Sequence, residues 1–206
     1  MTQYFQIHAE NPQPRLVRQA VDMIRDGAVV VYPTDSCYAL GCQLGDKRAM
    51  ERIQRIRRTD RNHNFTLVCK DLSEIATYAK VGNIQYRLLK SMTPGPFTFI
   101  LRATGEVPRR LQNPKRKSIG IRVPDNAVVW ELLSELSEPI MSSTLILPGD
   151  ELPMNDPDEI RERLAHDVDL IIDGGSCGFQ PTTVLDITED VPELLRDGKG
   201  DASPFL

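Results

Sequence analysis

What most narrows the fold of this 206-residue chain is an irregular alternation of short apolar runs and amphipathic stretches, with no strict strand–helix–strand rhythm. After Pro14, the residues Leu16, Val17, Ala20, Val21 and Ile24 recur at helical spacing, and Gly27 stands where a helix would stop. A strand over 28–32 follows at once. Asp46 then caps a helix carrying Ala49, Met50, Ile53 and Ile56, with arginines outside its apolar stripe. Further on, the pattern predicts strands over 65–69, 97–102, 118–123, 140–143, 167–172, 183–187 and 193–196, and helices over 72–80, 84–91, 127–136 and 157–164. Such mixed alternation fits an α/β fold on one twisted, mixed sheet. With no internal repeat and no linker-like shift in composition, a single domain over 1–206 is expected.

Composition matters here for what it excludes. Apolar residues at 40% and charged residues at 26% are those of an ordinary globule without low-complexity tracts. No run approaches the ~20 apolar residues of a spanning helix, and polar interruptions in the first fifteen residues leave no signal-peptide core. No membrane partner and a cytoplasmic location are therefore expected. Cys37, Cys42, Cys69 and Cys177 form no CxxC pair and His8, His63 and His166 are dispersed, so no metal site is expected and the thiols are read as reduced and mostly buried.

The net charge of −4 hides a segregation. Lys47, Arg48, Arg52, Arg55, Arg57, Arg58 and Arg61 form one basic group, and Arg109, Arg110, Lys115, Arg116 and Lys117 a second. Beyond Gly149, fifteen acidic residues face only Arg161, Arg163, Arg196 and Lys199. A positive face on an acidic protein points to an anionic partner, against the blander alternative of a solvated helix face with scattered ion pairs.

The stretch from Val29 to Gly41 opens as a buried strand and turns at Pro33 into Thr34, Asp35, Ser36 and Cys37. A turn made for geometry alone is served by Gly, Asn or Asp, so these groups are candidates to face a cleft. The common nucleotide and hydrolase fingerprints are missing: there is no G-x-x-x-x-G-K-[ST], no G-x-G-x-x-G after a strand and no G-x-S-x-G. Asp173-Gly174-Gly175-Ser176 reads either as a phosphate nest or, more often for Gly-Gly, as a loop turn. What remains is a succession of strand ends rich in hydroxyl and guanidinium groups. They are Tyr32-Pro33-Thr34-Asp35, Arg55-Ile56-Arg57, Ile121-Arg122-Val123-Pro124, Ser142-Ser143-Thr144, Pro181-Thr182-Thr183-Val184-Leu185-Asp186 and Leu195-Arg196-Asp197-Gly198.

This succession, together with Thr93-Pro94-Gly95-Pro96, resembles the threonylcarbamoyl-AMP synthase family, the YrdC-like domain, and in particular its YciO branch. Family members read Y-P-T-E-T-x-Y-G-L-G, K-x-R, W-P-G-P-x-T, V-R-x-P, S-x-N, S-T-V-x-D and L-R-x-G in the same order, and the likeness runs from about Pro14 to Gly200. The resemblance implies a twisted α/β sheet around a large, positively charged cavity. It also implies a reaction in which L-threonine, bicarbonate and ATP, with Mg²⁺, give threonylcarbamoyl-adenylate and pyrophosphate for a tRNA modification. Carried over by position, Thr34, Arg122 and Thr182 bind the amino acid or another small carboxylate. Arg55, Arg57, Ser142 and Arg196 bind the nucleotide, and Arg55, Arg57, Ser142 and Thr144 form the catalytic group.

Taken alone, the same residues have plainer roles. Thr34 and Thr182 suit turn hydroxyls bonded to local backbone, Arg122 suits a strand face in solvent, and Arg196 suits a surface pair with Asp197 or Asp201. Two positions depart from the family pattern, Arg55 where it has Lys and Thr144 where it has Asn. Residues two apart on a helix lie ~200° around its axis, so Arg55 and Arg57 can share a phosphate only if the helix ends near Arg55. The segment 58–64 looks longer than its family equivalent and lacks the proline expected at 58. The alternative function is a non-catalytic module binding double-stranded RNA or tRNA through the same basic cavity.

Overall fold

Pro14 at the first turn and the Val17, Ala20, Val21, Ile24 stripe produce α1 (Pro14–Arg25), which buries those four side chains. In the computed structural model, which describes residues 2–59 and 64–205, five more helices follow. They are α2 (Lys47–Arg57), α3 (Leu72–Tyr78), α4 (Asn83–Met92), α5 (Ala127–Leu136) and α6 (Pro157–Leu164). Side chains of Asp46, Asp71, Asn126 and Asp156 cap α2, α3, α5 and α6 by accepting from backbone N–H groups of their first turns.

The strands are β1 (Gln3–Gln6), β2 (Val30–Tyr32), β3 (Ala39–Gln43), β4 (Thr66–Val68), β5 (Phe97–Arg102), β6 (Ser118–Arg122), β7 (Ile140–Thr144), β8 (Leu170–Asp173), β9 (Thr183–Asp186) and β10 (Glu193–Arg196). They form one mixed sheet in the order β1-β8-β2-β3-β7-β4-β6-β5-β9-β10. Two of them, β1 and β3, are absent from the pattern predicted above. β1 is a half-exposed edge strand paired in parallel with β8, and its QYFQ shows no clean alternation. β3 overlaps the end of the stretch from Val29 to Gly41 and pairs antiparallel with β2 and β7.

Alternation along the strands sends side chains to two apolar layers. Val29, Val31, Leu40, Leu67, Ile121 and Met141 join one core with Ile53 of α2 and Ile160 of α6. Val30, Tyr32, Val68 and Ile140 join the other, under α1 and α5. Each such aliphatic side chain contributes about 1.5–3 kcal/mol on burial, enough to fix the register. The second layer stops at Val68 and Ile140, and two residues further along the ladder Thr66 and Ser142 stand opposite each other on the same face. Polar side chains begin where the helical cover ends.

Candidate functional site

Continuing on that face, period two selects Ser142 and Thr144 on β7, Thr66 on β4, Ser118, Gly120 and Arg122 on β6, Thr98 and Ile100 on β5, and Val184 on β9. All of them line one cleft of about 360 Å³, together with Cys37, Ala39, Arg57, Asn64, Phe65, Asn113, Pro181, Thr182 and Arg196 among others. Gly120 keeps the floor low: a methyl there would come within 3.2 Å of Thr66 Oγ1 and 3.5 Å of Thr98 Cγ2. Of the residues that line the cleft, none is Asp, Glu or His among those described.

Three guanidinium groups give the cleft its electrostatics. Arg122 is 7% exposed; one of its amino groups donates to Asp35 Oδ1 and lies 3.3 Å from Ser36 Oγ, while its Nε has no hydrogen-bond partner. A buried donor left without a partner costs about 1–3 kcal/mol. The contacts of Arg57 include the Ser143 hydroxyl and the Ile146 carbonyl, to both of which it donates. Arg196 donates to the Thr182 carbonyl at 2.9 Å and to Thr182 Oγ1 at 3.1 Å. Burial holds both Arg57 and Arg196 below the usual guanidinium range, the mark of partly desolvated cations.

The hydroxyls fall into two groups. Thr182, 5% exposed, is bonded to Thr98 Oγ1 at 2.8 Å as well as to Arg196, and Ser142 lies 2.6 Å from the Tyr32 phenol. Both line the cleft, as does Thr144. Thr34 does not. Its Oγ1 donates to the Cys37 carbonyl at 2.6 Å and accepts from the N–H groups of Ser36 and Cys37 at 3.2 Å, so it shapes the turn that presents Cys37. The local-backbone alternative for Thr34 is the one observed, whereas Arg122 is buried rather than in solvent and Arg196 turns inward to Thr182.

Arg55 is the larger correction. α2 does not end near it but runs through Arg57 and is closed by Arg58 in the left-handed region, at φ 48°. The ~200° step therefore applies, and Arg55 lies with Arg52, Arg58 and Arg163 in a separate outer hollow of about 680 Å³ between α2 and α6. There Arg52 is paired with Asp169 at 2.6 Å, and Arg163 with Asp150 and Glu159 at 3.0 and 3.1 Å. Asp60, Arg61 and most of the long segment after Arg58 lie outside the described residues. The amides of the Gly-Gly turn are spent locally, Gly174 N–H on Tyr38 and Gly175 N–H on Asp173, which is a loop turn and not a nest. Thr66, Thr98, Ser118 and Asn113 were not singled out as site residues beforehand, and Asp35, the partner of Arg122, only as one of the turn groups that could face a cleft. Counting in twos from Arg122 and Ser142 along each strand finds the first three only once the strand order is known.

The fold and site together are those of a one-sheet α/β protein with an arginine- and hydroxyl-lined cleft on the uncovered half of one face. Residues 22–198 match the model of the Sua5, YciO and YrdC family, described under telomere recombination, and the chain belongs to that family. An uncharacterized protein of Haemophilus influenzae is 59% identical over 207 residues, covering all of both chains. The crystal structure of Escherichia coli YciO is 57% identical, with a TM-score of 0.96 over the whole of both chains. A putative threonylcarbamoyl-AMP synthase of Methanocaldococcus jannaschii is 28% identical over 85% of this chain and 82% of its own. Sua5 of P. abyssi, in complex with L-threonine, is 26% identical with a TM-score of 0.87 over 96% of this chain and 58% of that one. Among the described residues, no helix is long and apolar enough to cross a membrane.

Proposed function

We propose that the cleft holds a nucleoside triphosphate beside a small amino acid and joins them, through bicarbonate, in a reaction of the threonylcarbamoyl-AMP synthase type. The observation that carries this is Arg122: a buried guanidinium whose Nε lacks a partner, at the edge of a cleft that already contains two further arginines and no carboxylate among the described residues. Relatives named as synthases, and the Sua5 structure with L-threonine, support the same direction.

In this reaction the threonine amine nitrogen bonds to the bicarbonate carbon, a C–O bond breaks and water leaves, and an oxygen of the resulting carbamate then attacks the α-phosphorus of ATP as pyrophosphate leaves. The charge that develops on the leaving oxygens is met by Arg57 and Arg196, and the amino acid carboxylate by the fork of Arg122. Arg57, not Arg55, is the phosphate contact. Thr182 and Ser142 orient the ligands through hydroxyls already fixed by Thr98 and Tyr32. With neither imidazole nor carboxylate among the described lining, the amine proton of threonine passes to bicarbonate or solvent. Rate then comes from positioning and charge.

When bound, Mg²⁺ neutralises phosphate charge. The hydroxyls of Ser142, Ser143 and Thr144 are oxygen donors compatible with an ion held mainly by the nucleotide's own oxygens. The test is pyrophosphate release in the presence of ATP, Mg²⁺, bicarbonate and L-threonine. Release that depends on all three substrates is expected, and none above a heat-killed control, beside an active relative, would rule the enzyme out.

A second reading, RNA contact without turnover, rests on Arg55 and Arg58, which are exposed in the outer hollow and have no ion pair among the described residues. It requires affinity for double-stranded RNA that falls steeply with salt and drops in an Arg55→Gln variant.

A further inference from the structure

Tyr32 is 0% exposed and sits in the apolar layer under α1 and α5, yet it carries a polar phenol. One contact accounts for that oxygen, 2.6 Å to Ser142 Oγ. The two residues are not on neighbouring strands, because β3 runs between β2 and β7. The ring crosses β3 at Gly41, which is paired in register with Ser142 itself. A methyl at Gly41 would stand 2.7 Å from Tyr32 Cε1 and 2.8 Å from Ile140 Cγ2, so glycine is needed there for close approach.

The hydrogens can be assigned by exclusion. Each hydroxyl has one to give. If Ser142 donated to Tyr32, the phenolic hydrogen would face an apolar layer with no acceptor among the described residues, an arrangement that buried donors avoid. If Tyr32 donates, both hydrogens are usable, since Ser142 lines the cleft and has no other partner among the described residues. Accepting a hydrogen bond also strengthens Ser142 as a donor.

The geometry points to Tyr32 as a positioning residue: it donates to Ser142 across Gly41 and so fixes the Ser142 hydroxyl as a donor to a phosphate oxygen of a nucleotide in the cleft. This rests on the proposal that the cleft binds a nucleotide. Burial, opposed by Ser142 and the Arg122 charge and reinforced by Cys42 and Cys37, pushes the phenol up to about 12. The relay therefore stays protonated through the neutral range.

Calorimetric titration with ATP and Mg²⁺ of the wild type, Tyr32→Phe, Ser142→Ala and the double variant tests it, with circular dichroism to check that each is folded. Affinity should fall about fivefold in Y32F and about tenfold in S142A, and the double variant should match S142A within about twofold, because the phenol acts only through the serine. A purely structural Tyr32 would lower the melting temperature and leave affinity alone. Unchanged affinity in Y32F, or losses that multiply in the double variant, overturns the relay while leaving nucleotide binding intact. No binding by the wild type removes the parent proposal and the relay with it. If Y32F does not fold, S142A decides: a loss near tenfold supports a donor at 142, and full affinity overturns it.

Discussion

Two hollows meet at the last turn of α2, and they hold their arginines by different means. In the cleft, Arg196 is fixed by neutral oxygens of Thr182, and the contacts of Arg57 include Ser143 and Ile146. In the outer hollow, Arg52 and Arg163 are fixed by the carboxylates of Asp169, Asp150 and Glu159. A neutral partner sets the direction of a guanidinium without cancelling its charge, whereas a carboxylate does both. Arg196 thus has no carboxylate partner among the described residues, whereas in the outer hollow Arg52 and Arg163 are paired with carboxylates and only Arg55 and Arg58 are not. Arg122 stands between the two cases. It is held by Asp35 through one amino group and retains a buried, unpartnered Nε.

The sharpest way to break this contrast is at Arg122. Arg122→Ala leaves Asp35, whose side chain is 9% exposed, as an uncompensated buried charge, and should cost about 3 kcal/mol of stability. Thermal denaturation reads this, and ligand affinity should be lost with it. Next in size is the pair Arg57→Gln and Arg55→Gln. Charge-assisted bonds to phosphate predict about a hundredfold loss of ATP affinity or turnover in R57Q and less than about twofold in R55Q. Equal losses in the two would erase the distinction between the hollows.

A smaller effect follows from weak acids that burial keeps protonated. Burial raises Tyr32 and Cys177 to about 12, and raises Cys37 and Cys42 as well. These groups stay protonated in the folded chain after they ionise in the unfolded one. Their contribution is complete below the unfolded values of about 8.5 for Cys and 10 for Tyr, and is lost as pH rises toward 12, at up to about 1.4 kcal/mol per pH unit for each group titrating. Urea unfolding at pH 8, 9 and 10 should show a falling midpoint. Smallest is Asp46→Ala, which removes the cap from Arg48 and Ala49 N–H and should cost about 1 kcal/mol while leaving ligand affinity unchanged.

Most of the helices and interior strands were legible because their apolar residues recur at 3.6 or at 2 and because Asp46 marks a helix start. β1 escaped because a short edge strand with exposed ends has no alternation to detect. β3 escaped because Ala39, Gly41 and Cys42 are too small to look like a strand core, although Gly41 is small for a reason of packing. The end of α2 was not legible because its left-handed cap is Arg58 where glycine is the usual signal, and the condition for Arg55 and Arg57 to share one phosphate, a helix ending near Arg55, is not met. Arg122, Ser142, Thr182 and Arg196 could be named from motif order, but their convergence depends on strand order, which no local pattern encodes.

The most direct measurement is a crystal structure of the chain soaked with ATP, Mg²⁺ and L-threonine. Phosphate density within hydrogen-bond reach of Arg57 and Arg196, with the amino acid carboxylate on Arg122, is the predicted result. Nucleotide seated instead against Arg52, Arg55 and Arg58 between α2 and α6, with the cleft empty, would contradict it.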